Sequence, residues 1–195
     1  LALLDVDWPV GARDRVNEVG LAAQEGRRLQ HVDDRRGLRH IVFLGTGASS
    51  YMDVPALAQL GITVHTIKGY GDTAVAELPA GAPWVVLGDF NVAPTDADVW
   101  DITKFTDSTH VTAAERAALD DLRTAGLVEV MPRALKYDTP YTYWDYRQLA
   151  FPKNRGMRID LVYATPSIAS RVTDAYSDRE ARKGKSASDH APVVV

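Results

Sequence analysis

Pro83-Trp84-Val85-Val86-Leu87-Gly88-Asp89-Phe90-Asn91 is the stretch that decides how this chain is read. The apolar run from Pro83 to Leu87 is too short for a globular helix and lacks polar alternation, so it is expected to be an interior strand covered on both faces. It stops at Gly88, and an aspartate and an asparagine follow. Polar groups placed straight after a buried strand cost desolvation unless they are used, which marks Asp89 and Asn91 as chemical candidates. The plainer alternative is that they only form the turn. Further on, Arg158 to Ala164 reads as another strand, with Asp160 inside it. Ala191 to Val195 reads as a terminal strand, preceded by Asp189-His190. Between them, Thr112-Ala113-Ala114-Glu115 has the spacing of a capping box. It opens a helix through Ala125, with Leu119 and Leu122 inward and Gly126 as the stop.

Upstream, Leu1 to Val6 reads as a short strand and Arg13 to Gln30 as a helix with Val16, Val19 and Ala23 on one face. Arg39 to Leu44 is expected to be a strand, Pro55 to Leu60 a short helix with Gly61 past its end, and Ile62 to Ile67 a strand. Strands alternating with helices indicate a layered α/β fold. No repeat, low-complexity tract or linker composition interrupts residues 1–195, so a single domain is expected.

Composition narrows the function classes. The chain has 195 residues, 46% hydrophobic and 25% charged, which suits one globular core. With 22 Lys+Arg against 26 Asp+Glu, the formal charge is −4, so nucleic-acid contact would need a local basic patch. The absence of cysteine excludes disulfides, Cys-zinc sites and thiol catalysis. No apolar run approaches the roughly 20 residues of a membrane span, and no secretory signal pattern opens the chain, so a cytoplasmic protein is expected.

Asp89 with Asn91, Asp160 in mid-strand, and the Asp189-His190 pair could together supply a base, an amide donor, an oriented imidazole and a hard-metal ligand. Taken singly, each has an ordinary structural explanation. Together with their neighbours they resemble a family: Gly88-Asp89-Phe90-Asn91-Val92-Ala93-Pro94-Thr95-Asp96, Tyr141-Thr142-Tyr143-Trp144, Gly156-Met157-Arg158-Ile159-Asp160-Leu161-Val162 and Ser188-Asp189-His190-Ala191-Pro192 are similar, in order and spacing, to the exonuclease III branch of the endonuclease/exonuclease/phosphatase superfamily. The similarity runs from about Ala82 to the C-terminus and includes Thr109-His110-Val111 and Arg182-Lys183-Gly184-Lys185.

The resemblance implies a four-layered α/β sandwich, with two facing mixed sheets flanked by helices and one sheet reduced. It also implies magnesium- or manganese-dependent cleavage of double-stranded DNA at abasic sites and 3′ ends by a monomer working in DNA repair. Carried over by motif, Asp89 would take a proton from the attacking water and Asn91 would hold the scissile phosphate. Asp160 would orient His190 and keep it protonated, facing a non-bridging oxygen. Asp189 would help hold the metal, and Tyr143, Trp144 and Met157 would line the slot for a sugar lacking its base. An imidazolium, an amide and a divalent cation suit the negative charge of a phosphodiester transition state. Arg155, in the cation-rich stretch from Arg147 to Arg158, and Lys185, beside Arg182 and Lys183, would meet backbone phosphates.

The first half resembles the family less closely. Asp5 and Asp7 are the candidate metal ligands there, and Thr46 falls where the family carries a metal-binding Glu. The strands that would bring a Tyr-x-Pro-Asn motif are missing between about Ala76 and Pro83. Two alternatives stay open: a degenerate homologue of the same fold that binds DNA or protein without cleaving, and a nucleotide-binding regulatory module using Gly45-Thr46-Gly47-Ala48-Ser49-Ser50.

Overall fold

A computed structural model of the chain describes residues 2–3, 40–44, 63–67, 83–106, 108–184 and 187–195. In chain order the strands are β1 (Ala2–Leu3), β2 (His40–Leu44), β3 (Thr63–Ile67), β4 (Trp84–Asp89), β5 (Val128–Glu129), β6 (Arg133–Ala134), β7 (Asp160–Ala164), β8 (Tyr176–Ser177) and β9 (Val193–Val194). The helices are α1 (Ala113–Thr124) and α2 (Pro166–Ala169). One sheet has the order β3-β2-β4-β7-β5 and the other β1-β9-β8-β6, the second made only of two-residue strands.

β4 is the central strand of the larger sheet. It pairs in parallel with β2 and antiparallel with β7. As expected of an interior strand, none of Trp84, Val85, Val86 and Leu87 is more than 3% exposed. Successive strand side chains point to opposite faces, and the packing follows that period. Val85 and Leu87 of β4 join Val162 and Ala164 of β7, together with Val130, Ala175 and Val193. Val193 belongs to β9, so this cluster is the core between the sheets. Trp84, Val86, Leu161 and Tyr163 face the other way and pack on Leu119 and Leu122 of α1. The described residues thus form helix, sheet and facing sheet, the architecture of an α/β sandwich.

α1 begins as its sequence demands. The Thr112 hydroxyl accepts from the Glu115 backbone N–H (3.3 Å), and the Glu115 carboxylate accepts from the Thr112 N–H (3.0 Å). It ends at Gly126, whose φ of 90° is open to glycine at little cost. The strands expected at 39–44, 62–67, 83–87, 158–164 and 191–195 are present with shifted ends. β5, β6 and β8 were not foreseeable, because two residues carry no periodicity. The helices expected over 13–30 and 55–60 lie outside the described residues.

Arg158 is not a surface cation: it is 1% exposed, with Nε 2.7 Å from Asp98 and Nη1 2.6 Å from Glu129. Asp98 also accepts from the Thr95 N–H and hydroxyl (2.9 and 2.8 Å), and Glu129 receives Arg123 from α1 (3.0 Å). A buried guanidinium is tolerated only with such pairing. This one ties the loop after β4, strand β5 and α1 to the residue that leads into β7. Arg158→Met should therefore lower the unfolding free energy by about 3 kcal/mol, measured by urea denaturation, because shielded Asp98 loses the guanidinium that neutralises it and Glu129 keeps only Arg123.

Candidate active site

The register of β4 against β7 sets Asp89 directly opposite Asp160. Both are in phase with the inter-sheet cluster, so their side chains emerge at its rim. Like charges directly across an antiparallel pair repel, and such a pairing persists only where something offsets it. Here the offset is His190. Its Nδ1 lies 2.8 Å from Asp160 Oδ2, and its Nε2 lies 3.8 Å from Asp89 Oδ2. Asp160 is 1% exposed, and it is held from behind by Thr142: the Thr142 Oγ1 accepts the backbone N–H groups of Ile159 and Asp160, each at 3.0 Å.

Asn91 closes the other side of Asp89. Its backbone N–H donates to Asp89 Oδ1 (2.9 Å) and its Nδ2 to Asp89 Oδ2 (3.1 Å). This geometry needs Asn91 in the left-handed region, at φ 52°, which asparagine tolerates better than most residues.

His190 is brought in by the chain on either side of it. Tyr143 bridges both Met157 and His190. The Trp144 N–H donates to the Asp189 carbonyl (2.9 Å), and the Ala191 N–H to the Thr142 carbonyl (2.6 Å). Segment 141–144 therefore acts as a spacer between the start of β7 and the Asp189-His190 loop. The Tyr143 ring centroid is 5.0 Å from that of His190.

The charge states follow from these contacts. Burial raises the Asp89 pKa above the ordinary carboxylate value, and the Asp160 charge raises it further. For His190, burial works to lower the pKa, but the hydrogen bond and charge of Asp160, with help from Asp89, overcome it, so the imidazole is raised above its ordinary value. Asp160 is held low against its own burial, with the His190 hydrogen bond and charge and a Thr142 hydrogen bond contributing. An aspartate-bound imidazolium beside a carboxylate of raised basicity is an arrangement for moving protons and stabilising anionic oxygen.

Asp89, Asp160 and His190 present ligand atoms within 4.8 Å of one another, near enough to share one ion. A second carboxylate that lifts the Asp89 pKa is a local excess of negative charge, which a divalent cation would offset. The imidazole is the weakest of the three donors for a hard cation, which prefers oxygen ligands to nitrogen. The Asp189 carboxylate is outside this group. Asp5, Asp7, Thr46, Lys185 and the Gly45–Ser50 loop lie outside the described residues.

Several expected substrate contacts are placed differently. Trp144 is 1% exposed and cannot line an open slot: its Nε1 donates to Asn154 (3.2 Å). It packs so tightly on Gly156 that an added Cβ would fall 2.5 Å from that nitrogen. Met157 is also buried, in a cluster with Ala93, Val99 and Ile159. Tyr143 alone of the expected trio is partly exposed beside the site. Arg182 is buried rather than facing phosphate, with Nη2 on the Trp144 carbonyl (2.5 Å) and Nε on the Asp189 carbonyl (3.1 Å). Lys183 pairs with Glu180. Arg147 pairs with Asp145 (2.6 Å), holding that carboxyl at about 2. Arg155 is partly exposed, 4.8 Å over the Trp100 ring. Thr142 was not anticipated as a site residue. Its one signal is a small aliphatic hydroxyl set between the aromatic rings of Tyr141 and Tyr143.

Residues 24–190 match the endonuclease/exonuclease/phosphatase family, and the chain belongs to it. Exodeoxyribonuclease III of Haemophilus influenzae is 30% identical over 124 residues, covering 57% of this chain and 44% of that relative. Among solved structures, a 3′-5′ exonuclease (NExo) from Neisseria meningitidis aligns with a TM-score of 0.56 and 35% identity, covering 61% of this chain and 46% of its own. An AP endonuclease from Archaeoglobus fulgidus aligns at 0.55 and 31%, covering 61% and 47%. The match thus spans less than half the length of each relative.

The Asp160–His190 pair has a definite pH signature. The raised His190 pKa makes its contribution to stability complete below about pH 6.5, and that contribution fades as pH rises through the folded value. The depressed Asp160 pKa makes its contribution complete above about pH 3.9 and fading as pH falls through the folded value. A histidine titration followed by NMR should place His190 above its ordinary pKa. Asp160→Asn should move it down, because burial is then opposed by Asp89 alone.

Proposed function

We propose that this chain is a metal-dependent DNA phosphodiesterase of the exonuclease III type, cleaving at abasic sites and from 3′ ends of duplex DNA. The observation that carries this is the opposition of Asp89 and Asn91 to the Asp160–His190 pair in a chain of this family. Relatives it matches are named exodeoxyribonuclease III and AP endonuclease.

In this mechanism Asp89, with its raised basicity, takes the proton from the attacking water as the water oxygen bonds to phosphorus; the P–O3′ bond breaks, and the departing 3′ oxygen takes up a proton from solvent. Asn91, with one amide hydrogen on Asp89 and another to spare, holds a phosphate oxygen. His190, protonated and oriented by Asp160, donates to the non-bridging oxygen on which charge gathers. Asp160 does not itself exchange a proton in the step. It keeps Nδ1 occupied so that Nε2 points at Asp89 and the phosphate. Tyr143 forms the wall beside the imidazole, and Arg155 and Lys185 supply phosphate contact along the backbone.

Magnesium or manganese fits the hard oxygen donors of the site, and Asp189, Asp5 and Asp7 would hold it. When bound, such an ion neutralises phosphate charge and polarises the phosphorus centre.

A synthetic duplex with one abasic site, incubated with Mg²⁺, should be cut, and chelation should stop the reaction. Asp89→Ala should slow cleavage by about 10²–10⁴-fold, the usual worth of a general base. Binding of the duplex without any cutting would instead assign the chain to the non-cleaving members of its fold.

A further inference from the structure

His110 plays no part in the chemistry above, yet it touches the residue expected to hold the phosphate. Its Nδ1 lies 2.6 Å from the backbone carbonyl oxygen of Asn91. A carbonyl only accepts, so Nδ1 carries the proton and donates. Both partners sit in the left-handed backbone region, Asn91 at φ 52° and His110 at φ 79°. Non-glycine residues held there persist only when their surroundings over-determine them, and such positions cluster at functional sites.

His110 is itself anchored through both its backbone N–H and its backbone carbonyl. Its N–H donates to Glu115 Oε1 (3.1 Å), while the other oxygen of that carboxylate closes the capping box of α1. Its carbonyl accepts the Ala93 N–H (2.8 Å), two residues past Asn91. Arg116, in the first turn of α1, holds the Ala93 carbonyl (3.0 Å) from the same side. The catalytic loop is therefore stitched to the N-terminal end of α1, and His110 is the stitch that reaches Asn91 itself.

We propose that His110 is a positioning residue for Asn91: its Nδ1–H fixes the Asn91 carbonyl, which locks the left-handed turn that aims the Asn91 amide at Asp89 and the phosphate. The proposal rests on the phosphodiesterase role of Asn91. His110 touches neither substrate nor the reacting atoms.

Two measurements test it. In abasic-duplex cleavage, His110→Ala should lower kcat on the order of 10–100-fold with KM little changed, because the amide is misplaced rather than removed. His110→Asn, whose amide can donate from nearly the same position and which tolerates positive φ, should restore most of the rate. A His110→Ala enzyme with undiminished kcat, or an Asn variant as slow as the Ala variant, overturns the proposal. In the wild-type chain, ¹⁵N NMR above pH 8 should show His110 as the Nδ1–H tautomer, and the Nε2–H tautomer overturns it whatever the variants do. That second arm needs no turnover. A wild-type chain that fails to cleave but shows the Nδ1–H tautomer would count against the functional reading of the site and leave the latch standing.

Discussion

Everything at the site depends on the antiparallel pairing of β4 with β7. That ladder places Asp89 across from Asp160 on the side facing the second sheet. The side-chain period of a strand is two, so a slip of one residue would carry Asp160 to the helix side and replace it with an apolar neighbour. The register is set by Val85 and Leu87 against Val162 and Ala164, which have their places only in the inter-sheet core. The same packing that stabilises the sandwich therefore sets the distance between the two carboxylates. The repulsion built into that placement is what makes room for His190: a cation between two acids is stabilising where a neutral side chain would leave the acids opposed.

Buried guanidinium groups hold the surrounding framework. Arg158 joins the loop after β4 to β5 and to the approach to β7, and Arg182 joins the Trp144 and Asp189 carbonyls on the two segments that flank His190. A planar, permanently charged fork satisfies several acceptors in fixed directions, which a lysine could not do. Two of the cations that look from their spacing like a DNA-facing patch, Arg158 and Arg182, are thus spent inside the molecule. In the stretch from Arg147 to Arg158, Lys153 is exposed and Arg155 partly so, while Arg147 is committed to Asp145. Lys183, exposed, is paired with Glu180.

Much of this was legible along the chain. Pro83 to Leu87 announced a doubly covered strand by being apolar without alternation, and the polar residues at its end announced the site. Thr112 and Glu115 announced α1. Asp160 drew notice because a carboxylate inside an apolar strand is costly unless paired, and it is paired. In the second sheet β1 and β9 fall within the expected runs 1–6 and 191–195, whereas β6 and β8 were not legible, since two isolated residues have no period. Trp144 and Met157 were misplaced because an aromatic or a methionine beside a catalytic motif looks the same in sequence whether it faces a ligand or the core.

By itself, then, the sequence determined the chemical inventory and the local elements: which residues could carry protons or hold phosphate, which runs had to be strands, where α1 begins and ends. These are properties of side-chain chemistry and of neighbours a few residues apart. Only the tertiary structure decided which groups meet. The opposition of Asp89 and Asp160, the burial of Arg158 and Arg182, the support of Asp160 by Thr142 and the contact of His110 with Asn91 all join residues distant in sequence or turned by an unusual backbone. Such contacts depend on strand register and long-range packing, and no local pattern encodes either.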